Sequence, residues 1–271
     1  MKNRSSAAPF GVWMGIFTVV PMAIVLWFAF TDETGAFTFA NIRAIGNYIG
    51  TYLDSIWLGA LATLICLVLA YPIAFSISRR SEHVQRTMVM IVMLPMWMNF
   101  LLRTYAWMTL LEDQGLINQF LGLFGLHWHV INTNTAIVLG MVYNFLPFMI
   151  LPLYSVMAKL DPKIIEAAQD LGSNNYQIFK RVVLPLSAPG IVSGVTMVFV
   201  PAVSTFVISK LLGGSKYMMI GDVIESMFMG DGCNYNVGAA LSLVLMVLML
   251  LCMSVMRRVD RDDEEIGGMM A

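Results

Sequence analysis

Charged residues are scarce in this sequence, and their scarcity excludes an ordinary soluble globular protein. Only 12% of the 271 residues are Asp, Glu, Lys or Arg, whereas soluble domains carry about 25%. Hydrophobic residues make up 58% of the chain, and the mean hydropathy is +0.75. The composition therefore predicts an integral membrane protein whose apolar surface faces lipid and neighbouring helices. Membrane lipid is its first expected partner.

Several kinds of functional site are also missing. Cys66, Cys233 and Cys252 lie far apart in the sequence, so no disulfide framework or metal-ligand spacing is present. No basic patch suits nucleic acid, which removes that class of partner. The sequence has no G-x4-G-K-[ST] phosphate loop and no nucleophile–base pattern. We therefore expect no enzyme activity, no metal and no cofactor in this chain.

Long apolar runs are abundant, and each is long enough to cross a bilayer. They predict an all-α polytopic membrane protein with six transmembrane helices in one transmembrane domain, residues 1–271. Prolines recur in every run but the last and predict broken or kinked helices. The predicted spans are 10–30, 56–78, 88–111, 135–157, 186–209 and 237–256.

The distribution of positive charge predicts the orientation. Six spans place both termini on one side of the membrane, and cytoplasmic segments are rich in Lys and Arg. Twelve of the 16 Lys and Arg residues fall on the side of the termini, which predicts that both termini are cytoplasmic. These twelve are Lys2, Arg4, Arg79, Arg80, Arg86, Lys159, Lys163, Lys180, Arg181, Arg257, Arg258 and Arg261.

The segment between the fourth and fifth spans, the 159–185 loop, is both charged and helix-patterned. Asp161 and Pro162 predict a helix start, since Asp caps free amides and Pro suits the first helical position. Gly172 predicts the helix end. A second short helix is predicted over 176–183, with Ser173 or Asn174 as its cap.

The same loop carries the pattern E-A-A-x3-G-x9-I-x-L-P. Its positions are filled by Glu166, Ala167, Ala168, Gly172, Leu184 and Pro185, with Val182 where Ile is usual. This spacing resembles the signature of permease subunits of bacterial ABC importers. The stretch from Pro95 to Trp107, with Leu212-Gly213-Gly214 and Met219-Ile220-Gly221, is similar to permeases of the spermidine/putrescine type.

The resemblance implies the fold of a type I ABC importer permease in the bacterial inner membrane. It implies a second homologous permease, an extracytoplasmic polyamine-binding protein and a cytoplasmic ABC ATPase dimer that binds ATP and Mg. This chain would form half of the channel, and the 159–185 loop would be the coupling helix. The implied ATPase-coupling residues are Asp161, Glu166, Ala167, Ala168, Gly172, Leu184 and Pro185.

A polyamine is a flexible polycation, so its path needs carboxylates, aromatic faces and few fixed cations. The candidates are Trp97, Asn99, Tyr105, Tyr143, Asn144, Phe206, Asp222 and Glu225. Asp222 and Glu225 share a face if their segment is helical. Arg103 is expected to pair with Glu112 or with an acid of a partner subunit. The plainer alternatives are solvated loop acids and lipid-facing aromatics.

Two other functions remain open from the sequence. One is the same type of permease with another cargo, such as ferric iron, sulfate or another small solute. The other is a stand-alone secondary transporter or channel, which would work without ATP and without docking at the 159–185 loop. The spaced pattern in the loop is the feature that separates the two classes.

Overall fold

The computed structural model describes residues 8–230 and 233–269, and within these ranges the chain is helical apart from turns and loops. One isolated bridge joins Thr31 to Phe37 in a tight turn. Lys2 and Arg4, which entered the topology prediction, lie outside the described residues.

Thirteen α-helices follow one another in the described part of the chain. They are α1 (Ala8–Ala29), α2 (Ala40–Ala44), α3 (Ile49–Ser78), α4 (Glu82–Trp97), α5 (Phe100–Leu111), α6 (Leu116–Gly122), α7 (Asn134–Met157), α8 (Pro162–Asp170), α9 (Asn175–Ile178), α10 (Leu184–Leu186), α11 (Ala188–Ser204), α12 (Ile220–Met229) and α13 (Tyr235–Met269). A 3₁₀ turn joins α2 to α3 over Ile45–Tyr48. Two π-helical turns occupy Phe179–Val183 and Ser209–Gly213.

Four helical segments are long and apolar enough to cross a membrane without a sharp bend. They are Gly11–Ala29, Ala40–Ser78, Asn134–Met157 and Tyr235–Met256. Two bent helix pairs bring the number to as many as six. The chain is therefore a multi-pass membrane protein.

The predicted third span, 88–111, is not one continuous helix. Glu82–Trp97 and Phe100–Gly122 meet at 86°. Pro95, the expected break, lies inside α4, and the chain leaves the helix at Met98. Asn99 then caps α5 by accepting hydrogen bonds from the amides of Leu101 and Leu102, at 2.8 and 3.3 Å. The side-chain cap at Asn99 explains why the new helix begins here.

The predicted fifth span, 186–209, is also interrupted. α11 ends at Ser204, Thr205 is extended, and helical structure resumes after Phe206. On the other side of α11, the segment Asn175–Leu186 meets Ala188–Ser204 at 66°. α11 is thus a helical segment with an interruption at each end, and we call each interruption a joint.

Helices α3, α7 and α11 form the centre of the bundle. Close approach between them depends on small residues. A Cβ at Gly59 would lie 2.6 Å from the side chain of Val203, and one at Gly194 would lie 2.6 Å from the sulfur of Met149. By contrast, α1 packs mainly against α13 and leaves most of its apolar surface uncovered.

Candidate functional site

The first helix of the 159–185 loop forms as its local signals predict. The Asp161 carboxylate accepts a hydrogen bond from the Lys163 amide at 3.0 Å, and Pro162 occupies the first turn of α8. At the other end Gly172 has φ of +78°, the left-handed conformation that glycine adopts without strain. The Gly172 and Ser173 amides bond to the carbonyls of Gln169 and Ala168, at 2.8 and 3.1 Å. This pair of bonds is a Schellman motif, so α8 has a fixed length.

The second helical segment of the loop begins at Asn174. Asn174 and Gln177 form a reciprocal capping box, with bonds of 2.8 and 3.0 Å. The segment is longer than the predicted 176–183, since it continues as a π-helical turn and then as α10 up to Leu186. It therefore leads directly into the joint before α11.

That joint is anchored to the core of the bundle. The hydroxyl groups of Tyr71 on α3 and Ser187 lie 2.7 Å apart and share a buried hydrogen bond. The rings of Tyr71 and Phe179 pack edge to face, with their centroids 5.3 Å apart. The segment before α11 is thus in direct contact with α3.

The other end of the loop is uncovered. α8 packs against α9, and Glu166, Ala167 and Ile164 are exposed. Leu171 is 86% exposed, although it is a large apolar residue. Ala168 is half-buried, so the Ala167–Ala168 pair of the pattern is exposed at only one of its two positions. A capped helix with an uncovered apolar face has the form of a docking element.

A second candidate site lies where α11 ends and α12 begins. We name it the 206–225 cluster and define it by Phe206, Lys210, Asp222 and Glu225. The start of α12 is pinned to α3, because the Ile220 amide donates to the Ser55 hydroxyl at 2.8 Å. Gly221 lies so close to the end of α11 that a Cβ would come within 2.5 Å of the Thr205 carbonyl oxygen.

Asp222 is a buried carboxylate in this cluster. It is 4% exposed, and one of its oxygens accepts from the Met219 amide at 2.9 Å. The other oxygen has no hydrogen-bond partner among the described residues. α12 lies outside the candidate spans, and burial raises the pKa of Asp222, an effect that Ser209, the Met219 amide and Lys210 only partly offset. Asp222 is therefore not a solvated loop acid.

Glu225 is held by a lysine. The Lys210 ammonium lies 3.0 and 2.9 Å from the two carboxylate oxygens of Glu225. The segment that carries both acids is the helix α12, and Glu225 follows Asp222 by about one turn, so the condition under which the two acids share a face is met. Lys210 was not among the predicted path residues, because partners 15 residues apart carry no local signal.

Two cavities meet at Glu225. One, of about 310 Å³, is lined by Lys210, Gly214, Met218, Asp222, Glu225 and Ser226. The other, of about 580 Å³, is mainly apolar and includes Ser204, Phe206, Glu225 and Ser242 in its lining. The structure thus brings three of the eight predicted path residues, Phe206, Asp222 and Glu225, to one place.

The remaining predicted path residues lie elsewhere. Trp97 is 72% exposed and Tyr105 is about half exposed, both on the broken third span. The side-chain oxygen of Asn99 is used as a helix cap. Tyr143 packs on Trp107 with ring centroids 5.1 Å apart. Asn144 is buried and donates to the Gly140 carbonyl at 2.8 Å.

Among the described residues Arg103 does not pair with Glu112, the first of the two acidic partners that the sequence suggested. Its guanidinium donates to the Pro95 carbonyl at 2.5 Å, across the break in the third span. It also lies near the rings of Phe100 and Tyr143, at 6.0 and 5.9 Å from their centroids. A helix break frees carbonyl groups within the membrane, and a cation that bonds one of them stabilises the bend.

Comparison with known proteins identifies the kind of chain to which this geometry belongs. The model of the binding-protein-dependent transport system inner membrane component family matches residues 67–262. The spermidine/putrescine transport system permease protein PotB of Haemophilus influenzae is 38% identical over 260 residues, which cover 92% of this chain and 91% of that protein. The protein of the same name from Escherichia coli K12 is 34% identical and covers 92% and 94%.

Solved structures agree on the fold. A bacterial ABC transporter involved in the import of the acidic polysaccharide alginate superposes with a TM-score of 0.81 at 18% identity, covering 95% of this chain and 94% of that one. The MetNI methionine ABC transporter, in an inward-facing conformation, gives a TM-score of 0.62 at 17% identity, covering 82% and 98%. The fold is that of a type I ABC importer permease. The chain belongs to the inner membrane component family of binding-protein-dependent transport systems, and it is a multi-pass inner membrane permease.

Proposed function

We propose that this chain is the transmembrane permease subunit of an ATP-driven importer for polyamines, of the spermidine and putrescine class. The observation that carries the proposal is the likeness, over 92% of the chain, to permeases named for spermidine/putrescine transport. The acidic 206–225 cluster supports a cationic cargo, since it offers two carboxylates beside a cavity.

In this proposal both termini and the 159–185 loop face the cytoplasm. The support is the concentration of Lys and Arg on that side of the chain. The chain would form half of a channel with a second homologous permease. An extracytoplasmic binding protein would deliver cargo to the opposite side, where the 206–225 cluster lies.

The 159–185 loop would seat its uncovered α8 in a cytoplasmic ATPase dimer, which binds the ATP and Mg for which this chain has no phosphate loop. Asp161 and Gly172 set the bounds of α8, and Glu166, Ala167 and Ala168 would form its contact surface. Closure of the ATPase would then push the loop. Because the Tyr71–Ser187 bond ties the loop to the bundle, the push would reorient α11 as a rigid body.

At the outer end of α11 the same motion would open or close the 206–225 cluster. In the structure the Lys210 ammonium forms an ion pair with the Glu225 carboxylate. A primary ammonium group of a polyamine has the same charge and the same three donors as the Lys210 side chain, so cargo would replace Lys210 on Glu225. Phe206, at the interruption after α11, would gate the apolar cavity. Trp97, Asn99, Tyr105, Tyr143 and Asn144 remain predicted path residues, with Trp97 and Tyr105 on a surface that a second permease would cover.

The decisive measurement is cargo-stimulated ATP hydrolysis by the complete complex in proteoliposomes, with its binding protein present. We expect spermidine and putrescine to stimulate hydrolysis and labelled spermidine to accumulate inside the vesicles. Stimulation by sulfate or ferric iron but not by polyamines would mean that the proposed cargo is wrong and that the stimulating ion is transported instead. Uptake without any ATP would mean that the chain is a secondary transporter or channel and not a subunit of an ATP-driven importer.

A further inference from the structure

An apolar groove of about 490 Å³ lies between the joint of the 159–185 loop and the end of α3. Its walls come from α3, from the loop and from α11. They are Leu67, Val68, Tyr71, Pro72, Phe75, Phe179, Leu184 and Ile191. With a rise of about 1.5 Å per residue, the α3 wall runs about 12 Å along the helix from Leu67 to Phe75. The Tyr71 hydroxyl is bonded to Ser187, which leaves an apolar lining.

A cation packs against one residue of the groove lining, Phe75. The Arg79 guanidinium lies over the Phe75 ring, 5.1 Å from its centroid. Its Nε and Nη2 atoms are buried and have no hydrogen-bond partner among the described residues. Buried donors without partners are costly, so Arg79 lacks an acceptor that its setting calls for.

The neighbouring charges do not supply that acceptor. Glu82, the acid nearest to Arg79 in the sequence, faces Arg86 at 3.8 Å instead. Arg80 follows Arg79 directly, and Lys180 and Arg181 follow the groove residue Phe179. Arg79 is thus a cation in contact with the lining residue Phe75, next to a lining that is entirely apolar.

We propose that this groove binds one anionic phospholipid, with an acyl chain along α3 and the phosphate on Arg79. The apolar wall matches a hydrocarbon chain, and the unpaired guanidinium matches a phosphate, which accepts hydrogen bonds from Arg in pairs. Basic pockets at the membrane surface bind anionic headgroups in this way. The lipid belongs to the cytoplasmic leaflet, and only that assignment rests on the proposed topology.

A helix of a second permease copy fits the groove less well. An apolar helix would cover the lining but would bring no anion to Arg79. The lipid also has a consequence for the mechanism, because Phe179 and Leu184 belong to the loop and Ile191 belongs to α11. An acyl chain in contact with all three would brace the joint through which the loop moves α11.

The test uses the full chain in nanodiscs that contain a trace of phospholipid with a photoactivatable diazirine in its acyl chain. The probe is either phosphatidylglycerol or phosphatidylcholine, and the cross-linked residues are mapped by mass spectrometry. One Arg near the surface favours an anionic headgroup by about fivefold. We therefore expect phosphatidylglycerol to label the 67–75 wall about fivefold more than phosphatidylcholine does.

Two matched pairs of variants locate the site. Val68→Trp should fill the groove and reduce labelling of the wall by both lipids, whereas Leu64→Trp, one turn away and outside the lining, should not. Arg79→Gln should make the two lipids label equally, whereas Arg80→Gln should keep most of the preference. Thermal unfolding in detergent checks that each variant folds. If Val68→Trp does not fold, the labelling of the Arg79→Gln variant alone decides whether the proposal holds.

Equal labelling by the two lipids in the unaltered chain would overturn the proposal. So would a preference that survives Arg79→Gln. Absence of labelling of the 67–75 wall by either lipid would overturn it as well.

Discussion

The 159–185 loop and the 206–225 cluster are opposite in construction. The helices of the loop are bounded by short-range contacts: its caps at Asp161, Gly172 and Asn174 all bond to groups within five residues. The 206–225 cluster is made of long-range contacts, such as Ser55 to Ile220 and Lys210 to Glu225. The loop leaves an apolar face uncovered, whereas the cluster buries a carboxylate. A docking element can fold locally because its partner completes it, whereas a charged cavity must be enclosed by the chain itself.

The sharpest way to break this contrast is to unfold the local cap of the loop. Gly172→Pro removes the φ of +78° and the amide bond to Gln169. The variant would lose the correctly positioned contact between the loop and the ATPase. We therefore expect cargo-stimulated ATP hydrolysis by the reconstituted complex to fall at least about tenfold. Gly35→Pro is the matched control, since Gly35 also has a positive φ, of 81°, and its amide also donates a hydrogen bond, to Asp32, but Gly35 lies in the turn between α1 and α2. Equal loss in both variants would mean that the loop has no special role.

A smaller effect is expected from the charges of the 206–225 cluster. Glu225→Gln should lower the maximal rate of spermidine uptake by about fivefold, measured with a saturating concentration of cargo-loaded binding protein. A factor of about five corresponds to the loss of an ion pair that contributes about 1 kcal/mol. Lys210→Gln should leave that rate unchanged or raise it, because the competitor of the cargo is gone. Glu112→Gln, at an exposed acid that follows α5, should have no effect. If the ion pair only held the fold, Glu225→Gln and Lys210→Gln would lower uptake alike.

The smallest effect concerns the buried carboxylate. The pKa of Asp222 is raised by burial above its ordinary value of 3.8, so the folded state prefers the protonated form. Its contribution to stability is thus complete below pH 3.8 and is lost as the pH rises through the raised pKa. Asp222→Asn should match the unaltered chain in acid and unfold about 3 °C higher at neutral pH, for about 1 kcal/mol.

Asp32 is the control of opposite sign for this pH experiment. The Thr34 hydroxyl and the Ala36 amide lower the pKa of Asp32, so its contribution is present above the ordinary value and is lost as the pH falls. Asp32→Asn should therefore lower the unfolding temperature at neutral pH and not in strong acid. Thermal unfolding in detergent across this range checks both variants. A flat difference between Asp222→Asn and the unaltered chain would contradict the role of burial.

The sequence was most informative where structure is local. The Asp-Pro start and glycine end of α8 were predicted because caps bond to their own neighbours in the chain. Apolar runs predicted membrane helices because lipid forces every backbone group to pair within its own segment. The family resemblance followed from the same loop, and the matching family confirms it.

The tertiary structure decided what depends on distant partners. The sequence alone determined that this is a helical membrane protein with a capped loop between its fourth and fifth apolar runs. It did not determine that the third run turns by 86° at Asn99, or that Arg103 bonds across that turn. Nor did it show that Lys210 forms an ion pair with Glu225 or that Asp222 is buried. Such ion pairs and such burial arise only when separate helices pack together.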